Sequence, residues 1–266
     1  MLKLGWFSTG RGKGSRALLN LIQEEIADGN LEAKIQFVFQ NRERGESEES
    51  DKFQDLVNSY NIPLLTLSSQ GFRTERGVKK FSDIRLEFDQ HVLRKLEAYS
   101  PDICVLAGYM LILGPELNRE FTAINLHPAL PEGPTGTWQQ VIWKLIENRS
   151  YTTGAMIHLV TDKLDLGPTI TYFSFPIQGS FMQFLWEKAY KYDINTLRVN
   201  EGEKLPLFQY IRREGEKREP FLLLETIRAF SKGTIHLTNG RILDNHGRET
   251  PSQSLNNEIE SQIRNL

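Results

Sequence analysis

Residues 123–168 read AINLHPALPEGPTGTWQQVIWKLIENRSYTTGAMIHLVTDKLDLGP: a short apolar strand, a proline-rich turn, an amphipathic helix, a second strand and a charged turn. Asn125 and His127 are two residues apart, so on an extended strand their side chains share one face. Pro128 follows at once and stops the strand from continuing as an interior one. His127 is therefore expected where a strand leaves its sheet, and open α/β sheets place their ligands at the carboxyl ends of strands. Asp162 and Asp165 bracket Lys163 and Leu164 ahead of the Gly167-Pro168 turn, on a loop able to swing back over His127.

Strand and helix patterns alternate outward from this stretch. Residues 2–7, 35–39 and 62–67 read as strands, the third entered through Pro63. Leu18, Leu19, Leu21, Ile22 and Ile26, then Phe53, Leu56, Val57 and Tyr60, recur at helical spacing between them. Residues 68–81, rich in Gly, Ser and charge, are expected to form an exposed, mobile loop, and 85–99 a helix ended by Ser100-Pro101. Residues 103–107 are apolar throughout, as a central parallel strand covered on both faces requires. Strands over 123–126, 153–160 and 169–175, with a helix over 138–146, complete a βαβαβαβ order with short connections. That order predicts the α/β class: a mostly parallel sheet with helices on both faces.

Beyond Gly179 the pattern changes, and a smaller mixed α+β region is expected over 180–266, separate from 1–179. Within it, 181–192 and 221–230 read as helices, 193–206 resists assignment, and 235–244 has a hairpin pattern turning at Asn239-Gly240. The charged residues from 245 on are expected to fray.

With 32 Lys and Arg against 34 Asp and Glu, the 266-residue chain has a formal charge of -2, so no global basic field argues for a nucleic-acid partner. No apolar run approaches the roughly 18 to 20 residues of a membrane span, and the apolar amino-terminal segment is too short for a signal peptide. Cys104 is the single cysteine, inside an apolar run; this excludes an intrachain disulfide and fits a reduced compartment. A soluble cytoplasmic protein, monomeric or homodimeric, with small-molecule substrates is the expectation. The histidines at 91, 127, 158, 236 and 246 show no zinc spacing, so no metal is expected.

Two further segments invite a ligand. Residues 8–15, STGRGKGS, form a glycine-rich turn between a strand and a helix, an arrangement that aims backbone N–H groups at an anion. Neither the dinucleotide fingerprint nor the Walker pattern is present, and a phosphate site and a plain βα turn are equally compatible with the loop. After residue 107, Gly108-Tyr109-Met110-Leu111-Ile112-Leu113-Gly114 stays apolar past the strand end, as the wall of a flat aromatic ligand or the start of a helix packing on the core.

Asn, His and Asp converging on a pocket suit nucleophilic addition to a carbonyl-like carbon. Asn125 can donate an N–H to the developing oxyanion, His127 can share that task and move a proton, and Asp165 can orient the imidazole and manage protons through water. No nucleophile elbow occurs, so direct transfer is favoured over a covalent enzyme intermediate. Each residue also has a structural reading: Asn125 and Asp162 as turn caps, His127 at a strand end, and His158, between Ile157 and Leu159, as a satisfied core histidine.

Asn125-Leu126-His127-Pro128 followed by residues 161–168, TDKLDLGP, resembles the signature of the folate-dependent formyltransferases, nearest to the phosphoribosylglycinamide formyltransferases. The likeness runs to about residue 178 and implies a Rossmann-like catalytic domain using 10-formyltetrahydrofolate as co-substrate, without a metal, in purine biosynthesis. It assigns Asn125, His127 and Asp165 as the catalytic trio. It assigns Met110, Leu111, Ile112 and Leu113 to the pterin pocket, Asp162 to the loop closing over it, and Arg85 to the folate's glutamate tail. Gly10, Arg11, Gly12, Lys13, Gly14 and Ser15 become the acceptor's phosphate loop, and Glu216 an acidic acceptor contact. The turn at 129–134 is one residue shorter than the family's usual Ser-Leu-Leu-Pro form. The expected reaction is formyl transfer to the primary amine of a phosphorylated acceptor, glycinamide ribonucleotide first. Transfer to another amine, such as an aminosugar nucleotide, and a non-catalytic phosphometabolite-binding module are the alternatives. The first strand begins at residue 2, so the N-terminal regulatory domain of the formyl-folate hydrolases is not expected.

Overall fold

The computed structural model describes residues 1–238 and 240–264. The first half alternates β1 Leu2–Ser8, α1 Lys13–Ala27, β2 Ala33–Gln40, α2 Glu48–Ser59, β3 Leu64–Thr66, α3 Ser69–Glu75, α4 Arg85–Leu96 and β4 Ile103–Leu106. Next come α5 Pro115–Glu120, β5 Ala123–His127, α6 Trp138–Glu147, β6 Thr152–Leu159 and β7 Thr169–Pro176. The remainder is α7 Gln183–Lys191, α8 Ile194–Asn200, α9 Pro206–Ser231, β8 Ile235–Thr238, β9 Arg241–Asp244, β10 Gln253–Ser254 and α10 Asn256–Arg264.

Among the described residues, eight strands form one sheet in the order β10-β7-β6-β5-β4-β1-β2-β3, and β8 and β9 pair as a separate antiparallel ribbon. Pairing is parallel from β3 through β5, antiparallel where β6 meets β5 and β7, and parallel again for β10 on β7. The mostly parallel α/β architecture expected from the alternating pattern is the one observed. The strand period of two deals alternate residues to two cores. Leu4, Trp6, Val38 and Val105 join the core beneath α1 and α6. Phe7, Phe37, Cys104 and Leu106 join the one beneath α4 and α5. Helices on both faces follow from strands apolar on both faces.

Three local expectations are corrected. Residues 68–81 are not one exposed mobile loop: α3 lies there, capped by the Ser68 hydroxyl, and buries Phe72 against Phe88. The polar composition hid one buried aromatic. Residues 193–206 contain α8, with Asp193 accepting from the amides of Asn195 and Thr196, and the helix expected over 221–230 is the second half of the 26-residue α9. Pro220 removes one hydrogen-bond donor mid-helix, but burial of Leu207, Phe208 and Ile211 before it and Leu222, Leu223 and Ile227 after it holds the helix together.

Residues 245–264 do not fray either, and residues 265 and 266 of that tail lie outside the described residues. Leu255 N donates to Tyr172 O, Asn256 Oδ1 accepts from Ser174 N, and Ile259 is fully buried in α10. The hairpin strands at 235–244 form as expected; Asn239 of its turn lies outside the described residues. In α7 the apolar residues divide, with Trp186 buried and Phe181, just ahead of the helix, and Phe184 exposed. Beyond residue 180, α9 packs on β6, β7 and α1, and its leucines belong to the same core as β1. Among the described residues, no helix is long and apolar enough to cross a membrane.

Candidate functional site

Three adjacent parallel strands, β1, β4 and β5, end at the same edge of the sheet. The glycine-rich loop leaves β1, residues 107–114 leave β4, and β5 ends on His127. All three segments singled out in the sequence thus meet at the carboxyl edge, where parallel strands present loops and free backbone groups.

At the β5 end the imidazole of His127 is buried, and its Nε2–H donates to the Pro134 carbonyl at 2.9 Å. Its Nδ1 stands 3.6 Å from Asp165 Oδ2. Both ring nitrogens therefore face oxygens, Nε2 through a hydrogen bond and Nδ1 at ion-pair distance. Asp165 sits in the left-handed region (φ 54°), which a short polar side chain tolerates, and its Oδ2 accepts the Gly136 amide at 3.2 Å. The loop is seated by Gly167: an added Cβ would lie 1.7 Å from Leu159 O, while Leu159 N donates to Pro168 O at 2.9 Å. The 130–136 turn thus contributes an acceptor to the histidine and a donor to the aspartate. No residue-type rule points to these backbone groups.

Asn125 faces His158 across the antiparallel β5–β6 pair, with Asn125 Nδ2 and His158 Nε2 3.1 Å apart. His158 Nδ1 lies 3.0 Å from Leu159 O, so that nitrogen carries the proton and Nε2 accepts from Asn125. Burial holds His158 below the ordinary histidine pKa, despite the opposing pull of the Leu159 carbonyl and Asp165, and this favours the neutral ring that the hydrogen bond requires. His158, read from sequence as a satisfied core residue, is therefore satisfied by Asn125 itself, and its Nε2 lies 3.8 Å from Asp165 Oδ1. Only the cross-strand register, invisible in local spacing, could have placed it there.

The remaining candidates divide. Asp162 is exposed and accepts from Asn118 Nδ2 at 3.1 Å. Met110 is 47% exposed, Leu111 and Ile112 are half-buried, but Leu113 is enclosed in the core beside α4 and α5. Arg85 begins α4 next to Asp89, a buried carboxyl that accepts the Gly114 amide at 2.7 Å. Burial pushes Asp89 up to about 6, against the lowering effects of the Gly114 amide and Arg85. Arg11, Lys13 and Gly14 are exposed, Gly12 and Ser15 half-buried and Gly10 buried; among the described residues no side chain caps the amino end of α1. Glu216 is not brought to this edge group: it is exposed on α9 and pairs with Arg212 at 2.8 Å, whose guanidinium stacks on Trp138. A cavity of about 470 Å³ opens beside the 130–134 turn, lined by Pro131, Pro134, Lys144 and Thr152 among others, and not by Asn125 or Asp165. Among the described residues no cluster of His, Cys, Asp and Glu has metal-ligand geometry.

The chain is similar to several known proteins. The profile of the family described as formyl transferase matches residues 9–180. A phosphoribosylglycinamide formyltransferase of Escherichia coli (strain K12) is 33% identical over 111 residues, 40% of this chain and 50% of that protein. A formyltetrahydrofolate deformylase of the same strain is 31% identical over 144 residues, 53% of this chain and 44% of that protein. The chain thus spans about half or less of the length of these relatives. Among solved structures, glycinamide ribonucleotide transformylase 1 from Symbiobacterium toebii superposes with a TM-score of 0.64 at 20% identity, covering 91% of this chain and 93% of that one. A formyltetrahydrofolate deformylase from Burkholderia mallei gives 0.61 at 19% identity, covering 91% and 69%; at such identities the likeness concerns the fold. The profile match covers well over half of the chain and contains Asn125, His127 and Asp165, so the chain belongs to the formyl transferase family.

Proposed function

We propose that this protein moves a formyl group from 10-formyltetrahydrofolate to the primary amine of a phosphorylated small molecule, with glycinamide ribonucleotide as the first candidate acceptor. The observation that carries the reading is the convergence of Asn125, His127 and Asp165 at the end of β5, with His127 held between Pro134 O and Asp165.

In this scheme the acceptor nitrogen attacks the formyl carbon. A new C–N bond forms, the carbonyl oxygen gains negative charge, and the C–N bond to the folate breaks. One proton leaves the acceptor amine and one reaches the departing folate nitrogen. Asn125 donates to the oxyanion, and His127, once its Nε2–H leaves the Pro134 carbonyl for the substrate, adds a second donor and supplies a proton; such a donor is worth about 3 to 4 kcal/mol in the transition state. The hydrogen bond to neutral His158 fixes which edge of the Asn125 amide carries the donors. Asp165 orients His127 and takes the amine proton through water. The partly exposed Met110, Leu111 and Ile112 offer apolar surface to the pterin, and the uncapped amino end of α1 with Arg11 and Lys13 offers charge to the acceptor's phosphate.

The test is a product analysis with 10-formyltetrahydrofolate, glycinamide ribonucleotide and a panel of other phosphorylated amines, aminosugar nucleotides included. Formylated amine appearing in step with tetrahydrofolate supports the proposal, and the best acceptor defines the specificity. Formate released at the same rate with and without any amine would replace transfer by hydrolysis. No turnover, with both substrates bound, would leave a binding module.

A further inference from the structure

The glycine-rich loop and residues 108–113 are separated by about a hundred residues of sequence, yet one buried side chain joins them. Thr9, 1% exposed, donates its backbone N–H to Gly108 O at 3.1 Å, and its Oγ1 accepts the Met110 N–H at 2.9 Å. The same hydroxyl donates its proton to Asn41 Oδ1 at 2.7 Å. Asn41, 3% exposed at the end of β2, passes its own amide proton to Ser69 Oγ at 3.0 Å and so anchors the relay on α3. The hydroxyl proton is committed to Asn41 and a lone pair to Met110, so rotation of the side chain breaks both bonds. The Thr9 carbonyl is fixed too, by Ser50 Oγ and Gln40 Nε2, each at 3.3 Å. On the other side Ser15 crowds Gly108: an added Cβ there would lie 2.7 Å from Ser15 Oγ, in a backbone with φ +70°. The two loops therefore touch at both ends of 9–15.

We propose, resting on the formyl-transfer reading, that Thr9 is a positioning residue that couples the two substrate sites. Its hydroxyl holds Met110 in register with the glycine-rich loop, so an anion that orders the loop also orders residues 108–113, and binding at either site tightens the other. Such coupling is reciprocal by necessity, and its ordinary size is about five- to a hundredfold in affinity; two adjacent loops coupled through a single side-chain hydroxyl beside their fixed backbone contacts belong near the lower end.

The experiment is calorimetric titration of tetrahydrofolate into the full-length protein with and without saturating inorganic phosphate, for wild type, Thr9→Ser and Thr9→Val. Phosphate is expected to tighten tetrahydrofolate about fivefold in wild type and Thr9→Ser, and to have no effect in Thr9→Val, which keeps the shape and loses the hydroxyl. A wild-type ratio of one, or an undiminished ratio in Thr9→Val, overturns the proposal. If Thr9→Val does not fold, Asn41→Leu frees the Thr9 hydroxyl to rotate away from Met110 and should diminish the ratio; an undiminished ratio there overturns the proposal as well. Amide hydrogen exchange separates this inference from the reading beneath it. If wild type binds no tetrahydrofolate, the formyl-transfer reading falls; phosphate-induced protection of residues 108–113, present in wild type and absent in Thr9→Val, would still show the coupling, and its absence from both would overturn it.

Discussion

The two walls of the candidate site are built differently. On one, Asn125, His127 and Asp165 depend on the 130–136 turn and the 161–168 loop, whose charged and apolar tips Lys163, Leu164 and Leu166 are exposed. On the other, Thr9, Asn41, Tyr109, Leu113 and Asp89 are buried, and backbone amides of 108–114 are held by side chains of β1's exit and α4. On the first wall a loop brings Asp165 to groups fixed at the end of β5, whereas the second is set on the core, where position is held most precisely. Different responses to substitution follow: the first wall changes turnover more than stability, the second changes stability along with binding.

The largest effect is expected at His127. Replacing it with Ala removes the proton donor and an oxyanion partner together, and turnover should fall about 10³- to 10⁴-fold while stability falls by only about 1 to 3 kcal/mol, the cost of one buried hydrogen bond. Steady-state kinetics beside a thermal melt decides it; retention of full activity would end the mechanism proposed for this wall.

The second wall is tested through Asp89, and there the readout is stability against pH. Its folded pKa of about 6 lies above the ordinary 3.8, so the folded protein binds that proton more tightly than the unfolded chain does. Stability is therefore lost as the pH rises between about 4 and 6, amounting to about 3 kcal/mol above that window. Arg85 on α4 and Glu116 on α5 are the charges facing it, with opposite signs of effect, and Tyr109 lies close enough to feel it. Asp89→Asn keeps an acceptor for the Gly114 amide and removes the charge. It should be more stable than wild type at pH 8 and no more stable at pH 4, measured by denaturant melts at both.

Gly167→Ala probes how the first wall is seated. A Cβ 1.7 Å from Leu159 O displaces the Gly167-Pro168 turn and carries Asp165 away from His127. A shift on the scale of 1 Å costs about 10² in turnover. The matching control, Leu164→Ala on the exposed tip of the same loop, should leave the melting temperature unchanged.

How far each wall could be read in advance follows from the range of the interactions that build it. The spacing of Asn125 and His127, the stop imposed by Pro128 and the turn at Gly167-Pro168 are local, and so are the apolar strands that made the α/β sheet legible. The proton acceptor on Pro134, the cross-strand pairing of Asn125 with His158 and the Thr9–Asn41 relay join residues 7 to 101 positions apart and exist only once the sheet is registered. Leu113 shows the same limit from the other side. Its apolar neighbours marked it for a ligand wall, but α4 and α5 had already enclosed it. The charged tail misled for a related reason: local propensity was overridden by packing of α10 against α9 and β7.

His158 ties these arguments together and carries the smallest expected effect. Its Nε2 accepts from Asn125, so the ring must stay neutral for the amide to keep its donors aimed. Burial lowers its pKa below the ordinary 6.5; the unfolded chain then binds the proton more readily, and stability from this residue is present above about pH 6.5 and erodes as the pH falls. His158→Leu removes the acceptor without introducing a charge and frees the Asn125 amide to rotate. Because Asn125 is partly exposed, water can replace the lost partner, and kcat/KM should drop only about tenfold, or about 1.4 kcal/mol. The discriminating measurement is the acid limb of the kcat/KM profile. If protonation of His158 contributes to that limb, the Leu variant should lose that part of the decline, at a pH below the ordinary histidine value. An acid limb unchanged in position and steepness would assign His158 to packing alone and leave Asn125 oriented by its own strand.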